Sequence, residues 1–183
     1  MVECMLMILR LREFDQFPAR VSLAPADRSW SFVYEGVNSI EGLSVEVEVN
    51  KTEDEFYCRG TVECLATIEC VRCLDPYNIQ LSQDIDFFAV GEKSARTTRH
   101  TDAEDYVVFE GSEMVAKLDD IVRQAIILAL PSKPLCKEDC AGLCPVCGAN
   151  LNRAGCSCTK KEIDPRWEGL KRIEPSGNKE QEG

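Results

Sequence analysis

The sequence predicts an α+β protein: mainly an antiparallel β meander or partial barrel with one major helix, followed by a small C-terminal cysteine-rich module. Three observations predict it. Apolar and polar residues alternate over Leu43–Val49 and again over Phe56–Cys70, the period of half-buried strands. Apolar residues recur at helical spacing between Ser112 and Leu130. Six of the 11 cysteines fall between Cys136 and Cys158.

Each element has a local reason. Leu43-Ser44-Val45-Glu46-Val47-Glu48-Val49 reads as a strand with one wet face. Charged Lys51–Glu55 reads as a turn. The next strand places Phe56, Cys58, Val62, Cys64, Ala66, Ile68 and Cys70 inward, with Gly60 on that same face as a bulge or bend. After Asp75-Pro76, Tyr77–Val90 forms a third strand with Ile79, Leu81, Ile85 and Phe87 on one side. Ile8–Arg12 and Trp30–Tyr34 are weaker strand candidates, and Tyr106–Phe109 is a short one. Residues 91–105 contain no aliphatic side chain larger than alanine and read as a mobile loop. Ser112 offers a cap for a helix over about 112–130, carried by Val115, Leu118, Ile121, Val122, Ala125 and Ala129. Pro131 and Pro134 stop it. The expected division is therefore a body over 1–131, a cysteine-rich module over 132–172 and a disordered tail over 173–183.

Composition narrows the class. Hydrophobic residues at 44% and charged residues at 29% fit a soluble globular chain. The apolar run Cys4–Leu9 is too short to span a bilayer and follows Glu3, so no membrane role and a cytoplasmic address are expected. Residues 1–130 carry 12 basic and 24 acidic side chains, net −12, whereas residues 131–183 carry 9 and 8, net +1. Phosphates repel so acidic a body. It suits basic protein partners, and any nucleic-acid contact falls to the tail. There, Lys160, Lys161, Arg166, Lys171 and Arg172 surround Trp167, a set able to touch RNA phosphates and stack on a base. The plainer reading is a solvated surface with Trp167 packed on the module.

The cysteines carry the chemistry. In a cytosolic chain this density points to metal rather than disulfides. Cys144-Pro-Val-Cys147-Gly148 has the form of a knuckle: two thiolates bind one ion, backbone N–H groups point at the sulfurs, and glycine lets the chain turn back. Zn²⁺ favours four thiolates. Cys156-Ser157-Cys158 is the nearer second pair, and Cys136-x3-Cys140 competes with it. Few large apolar residues lie in this stretch, so a structural zinc supplies free energy that a small core cannot, on the order of 10 kcal/mol. Free or redox-active thiols and an iron–sulfur cluster are the alternatives. A closed four-thiolate site leaves no open position for water, which argues against metal catalysis.

Cys70-Val71-Arg72-Cys73 is a second Cys-x2-Cys. It reads as half of a metal site completed by tail cysteines, as a redox pair, or as two partly buried thiols at a hairpin. The β pattern that follows disfavours redox chemistry, whose motif opens a helix. Cys58 and Cys64 are simplest as core residues. His100 is the one histidine and has no base or nucleophile near it in sequence. Asp119-Asp120 and Asp84/Asp86 read as solvated carboxylates. Nothing assembles a catalytic constellation, so no enzyme is expected.

Together, these segments resemble one family. Cys70-Val71-Arg72-Cys73-Leu74-Asp75-Pro76 is similar to the C-x-R-C-L-x-P signature of the YceD family, the large ribosomal RNA subunit accumulation proteins. Ile127-Leu128-Ala129-Leu130-Pro131 resembles its second signature. The stretch Leu135–Asn152 resembles the cysteine-rich ending of many members, and Asp164-Pro165-Arg166-Trp167 the segment that often follows. The resemblance covers about residues 5–172. It departs at Lys117-Leu118, where members usually carry an acidic residue before the leucine. The resemblance implies a non-catalytic factor for accumulation or maturation of large-subunit ribosomal RNA, linked to large-subunit ribosomal proteins. Members lacking most tail cysteines imply that a tail metal stabilises rather than performs the shared role. A thiol-redox or zinc-carrier protein is the alternative.

Overall fold

The computed structural model describes residues 7–25, 32–52, 55–91, 106–109, 113–153, 155–158 and 166. His100, most of the expected loop over 91–105 and the tail over 173–183 lie outside them. The chain divides into two compact units, Met1–Cys140 and Ala141–Gly183.

The first unit is built on three long strands, β3 (Val37–Lys51), β4 (Glu55–Glu69) and β5 (Pro76–Gly91). They form consecutive antiparallel hairpins, the expected meander. β2 (Ala19–Leu23) extends the sheet beyond β3, and β6 (Tyr106–Phe109) closes the other edge parallel to β5. The sheet stays open in the order β2-β3-β4-β5-β6. β2 was not among the expected strands. Its alternation of Ala19, Val21 and Leu23 with Arg20 and Ser22 is short and lies between Pro18 and Pro25. Of the candidate Trp30–Tyr34, the described residues Phe32–Tyr34 lie in no strand.

Strands of 15 or 16 residues accumulate enough twist that the sheet must coil. Gly60 permits this. Its register, Val47 opposite Gly60 opposite Ile85, is unbroken, so there is no bulge. A Cβ there would overlap the Glu46 carbonyl oxygen. The inward position is glycine because the β3 backbone occupies the space. The irregularities lie elsewhere in β3, between Val37 and Ser39 and between Glu41 and Ser44, where Gly42 has φ +61°.

The inner face fulfils the alternation. Val45, Val47, Val49, Cys58, Val62, Cys64, Ala66, Ile68 and Phe87 are buried. They pack against Leu9, Leu118, Val122, Ala125 and Ile126. Phe56 joins Phe17 and Phe109 at ring-centroid distances of 5.7 and 6.1 Å.

The helix, α1, spans Asp119–Ala129, shorter than the expected 112–130. Val115 and Leu118 keep helical spacing, but Val115–Lys117 forms a strand, β7, paired antiparallel with β1 (Ile8–Arg10). That pairing is long-range and leaves no periodicity in the sequence. Ser112 lies outside the described residues. The Leu118 N–H donates to the Met7 carbonyl at 2.8 Å, and the Met7 N–H donates to Asp119 Oδ1 at 3.2 Å. Asp119 is thus tied to the chain start rather than solvated, with its charge at the positive end of the helix. At the other end Leu130 is extended (ψ 133°) before Pro131, as the residue before a proline prefers.

On the outer face, cross-strand rows align Arg20, Glu48, Arg59 and Asp86, and beside them Ser22, Glu46, Thr61 and Asp84. They line an open groove of about 820 Å³. Arg20 Nε donates to Glu48 Oε2 at 2.8 Å, holding that carboxyl below its usual range. Among the described residues, no helix is long and apolar enough to cross a membrane.

Candidate metal centres

None of the ten described cysteines is in a disulfide. Eight of them form two groups of four: Cys70, Cys73, Cys136 and Cys140 in the first unit, and Cys144, Cys147, Cys156 and Cys158 in the second. Within each group the sulfurs lie within 4.8 Å of one another. In the first group, Cys70 and Cys140 are 3.7 Å apart, as are Cys73 and Cys136. A disulfide requires about 2.05 Å. Four sulfurs around a single ion with bonds of about 2.3 Å stand about 3.8 Å apart. The spacing is that of a tetrahedral cage, and each group can hold a metal ion.

The second unit builds its cage from turns. Cys144, Pro145, Val146 and Cys147 curl so that the Gly148 N–H donates to the Cys144 carbonyl at 2.9 Å. Gly148 has φ +73°, the left-handed conformation that glycine adopts without penalty. The Val146 N–H donates to Cys144 Sγ at 3.4 Å. The Cys144 N–H reaches the Ala149 carbonyl at 2.8 Å, and Leu143 bridges Asn150. Asn152 Oδ1 accepts from the Ala141 N–H, and Asn150 Oδ1 from the Asn152 N–H. Backbone pairing thus fixes one ligand pair. Cys147 is exposed and Cys156 and Cys158 are half-buried.

The first unit joins distant segments. Cys70 and Cys73 sit in the β4–β5 turn, and Cys136 and Cys140 in the chain leaving α1. Three of the four are buried. The Val71 N–H donates to the Pro134 carbonyl at 3.0 Å, and the Arg72 guanidinium to the carbonyls of Cys140 (2.9 Å) and Glu138 (3.4 Å). Cys136 and Cys140 therefore stand with Cys70 and Cys73, not with the tail pair for which they were the expected competitor.

Electrostatics within the groups is contested. Burial opposes ionisation of Cys70, but the N–H groups of Cys136, Cys73 and Arg72 outweigh it and bring its pKa to about 6. Cys136 is pushed up to about 12 by burial and the neighbouring thiols. Cys144 is lowered to about 6 by the N–H groups of Cys147 and Val146 and by the Cys156 thiol. Cys158 is raised to about 12 by its hydrogen bond to Cys147, burial and the adjacent thiolate charge. Four sulfurs this close repel one another when ionised, and a divalent cation removes the conflict.

Other sequence candidates fall outside these centres. Cys58 and Cys64 are buried in the sheet core. Arg166 is exposed, while Lys160, Lys161, Trp167, Lys171 and Arg172 lie outside the described residues. The grouping of Cys136 and Cys140 with the β4–β5 turn is the feature sequence reasoning did not settle. Its one signal was the second Cys-x2-Cys.

Among the described residues, the fold and its centres define a class: an open β-sheet with one α-helix, carrying two four-cysteine groups. Residues 58–174 match the family described as large ribosomal RNA subunit accumulation protein YceD. The chain belongs to this family. It is 31% identical over 129 residues to an uncharacterised protein of Mycobacterium tuberculosis, covering 70% of this chain and 60% of that one. It is 23% identical over 144 residues to the Zea mays large ribosomal RNA subunit accumulation protein YCED homolog 1, chloroplastic, covering 65% and 49%. The Arabidopsis thaliana protein of the same name is 23% identical over 145 residues, covering 67% and 45%. The chain thus spans about half to three-fifths of these relatives. No solved structure matches.

Proposed function

We propose that this protein is a non-catalytic, cytoplasmic factor that supports accumulation or maturation of large-subunit ribosomal RNA. It acts by binding a ribosomal protein or a pre-ribosomal large-subunit particle. The carrying observation is the family match over 58–174, together with plant relatives named for that accumulation. The outer sheet face supports a basic protein partner: Glu46, Glu48, Asp84 and Asp86 outnumber Arg20 and Arg59 around the groove. The tail residues Lys160, Lys161, Arg166, Trp167, Lys171 and Arg172 are assigned to RNA. A structural zinc on Cys144, Cys147, Cys156 and Cys158 holds the second unit, since four thiolates complete the shell.

The test is depletion of the protein in its host. The ratio of large- to small-subunit ribosomal RNA should fall and recover with the wild-type gene, and the tagged chain should co-purify with large-subunit precursors. An unchanged ratio overturns the proposal. The alternative, thiol-redox or zinc-carrier action, draws on the depressed thiols Cys70 and Cys144. It predicts exchange with a small-molecule disulfide by the metal-loaded protein.

A further inference from the structure

The turn at Cys70–Leu74 repeats, bond for bond, the turn at Cys144–Gly148. In the second unit the Gly148 N–H donates to the Cys144 carbonyl at 2.9 Å, with φ +73°. In the first, the Leu74 N–H donates to the Cys70 carbonyl at 2.9 Å, with φ +59°. Leucine pays a penalty in this conformation, about 1–2 kcal/mol relative to its ordinary backbone. It gains little by burial, being 59% exposed. Something else holds the turn. The Arg72 and Cys73 N–H groups face the Cys70 sulfur, as the Val146 and Cys147 N–H groups face Cys144. The backbone is that of a metal knuckle without the glycine that advertises one.

The remaining ligands arrive from a segment more than sixty positions away. Cys136 and Cys140 flank a tight turn in which the Cys140 N–H donates to the Lys137 carbonyl at 3.2 Å. Arg72, inside the knuckle, holds the carbonyls of that same turn. The two opposed sulfur pairs stand at 3.7 Å, the edge of a tetrathiolate around one ion. Cys70, Cys73 and Cys140 are at most 3% exposed. Cys58 and Cys64 are equally buried but belong to the sheet core and to neither group.

We propose that Cys70, Cys73, Cys136 and Cys140 bind a second zinc ion, independent of the tail site, which pins the chain leaving α1 to the β4–β5 turn. Arg72 is the positioning residue that presents the 136–140 half. On binding, thiol protons pass to solvent and no electrons move. The site does not rest on the ribosomal reading above. It would stand if that reading failed.

Elemental analysis of the purified full chain should give two zinc ions per molecule. Cys147→Ser, altering an exposed ligand of the tail group, should retain one. Cobalt(II) titration of that variant should saturate at one equivalent, with the intense visible bands of a tetrahedral tetrathiolate. Arg72→Ala should keep two ions but release one of them to a chelator about tenfold faster, a selective change that Arg72→Lys should partly reverse. One zinc in wild type with none in Cys147→Ser overturns the proposal. So does a Cys70–Cys73 disulfide in protein purified under reducing conditions. Cys136→Ser should retain only the tail ion; should it fail to fold, the wild-type and Cys147→Ser counts still decide.

Discussion

Replacing Gly60 with alanine tests the close approach of β3 and β4. The new Cβ would overlap the Glu46 carbonyl oxygen and lie 3.1 Å from its carbon and 3.2 Å from Val47 Cα. All three are backbone atoms, so no side-chain rotation relieves the clash. β3 and β4 must part around the Val47–Gly60 pair. One or two ladder hydrogen bonds would weaken, at about 1 kcal/mol each. Overpacking strain adds about 1–3 kcal/mol. The expected loss is about 3 kcal/mol, roughly one fifth to three fifths of the 5–15 kcal/mol that typically separates folded from unfolded chains. Urea unfolding of the metal-loaded full chain measures it as a lower midpoint. Gly155→Ala is the control: its Cβ would meet nothing within 4 Å, and it should stay within about 0.5 kcal/mol of wild type. A Gly60→Ala midpoint equal to that control would refute the close approach.

Other outcomes follow from the same structure. Leu74→Gly should leave stability within about 0.5 kcal/mol of wild type, because relief of the left-handed backbone offsets glycine's extra entropy, whereas Leu74→Val should cost about 1–2 kcal/mol by urea unfolding. Burial pushes the Cys58 thiol from 9.0 to about 12. The folded chain then keeps a proton that the unfolded chain releases, so stability is full below about pH 9 and declines as pH rises toward 12. Cys58→Ala should flatten that decline relative to wild type in unfolding midpoints at about pH 8 and about pH 10.5. Cys58 and Cys64 should also resist alkylation until the chain unfolds, as mapped by mass spectrometry. A chelator should strip the tail group, with Cys147 exposed, before the group containing the buried Cys70, Cys73 and Cys140. Cys147→Ser should remove the fast phase of release.

The long strands were legible because period-two alternation is a local signal. Val45, Val47 and Val49 face inward as that period requires. What failed was what depends on distant partners. Val115–Lys117 carries helical spacing, yet the chain start recruits it into a two-stranded ribbon. Asp119 looked solvated until Met7 was beside it. The tail knuckle could be read from Gly148, because a small residue after the second cysteine announces a left-handed turn. Leu74 takes the same turn without the announcement. In the sequence, Cys136 and Cys140 compete with Cys156 and Cys158 for the tail knuckle, and completion of Cys70 and Cys73 by tail cysteines is one open reading; the folded chain takes that one.

Each four-sulfur cage also alters the molecule's electrical balance. A zinc ion held by four thiolates leaves a local surplus of two negative charges, so filling both cages would move the formal charge from −11 to about −15. Metal supply would therefore tune how strongly the chain is drawn to cationic surfaces. The shift would register directly as faster migration toward the anode on a native gel.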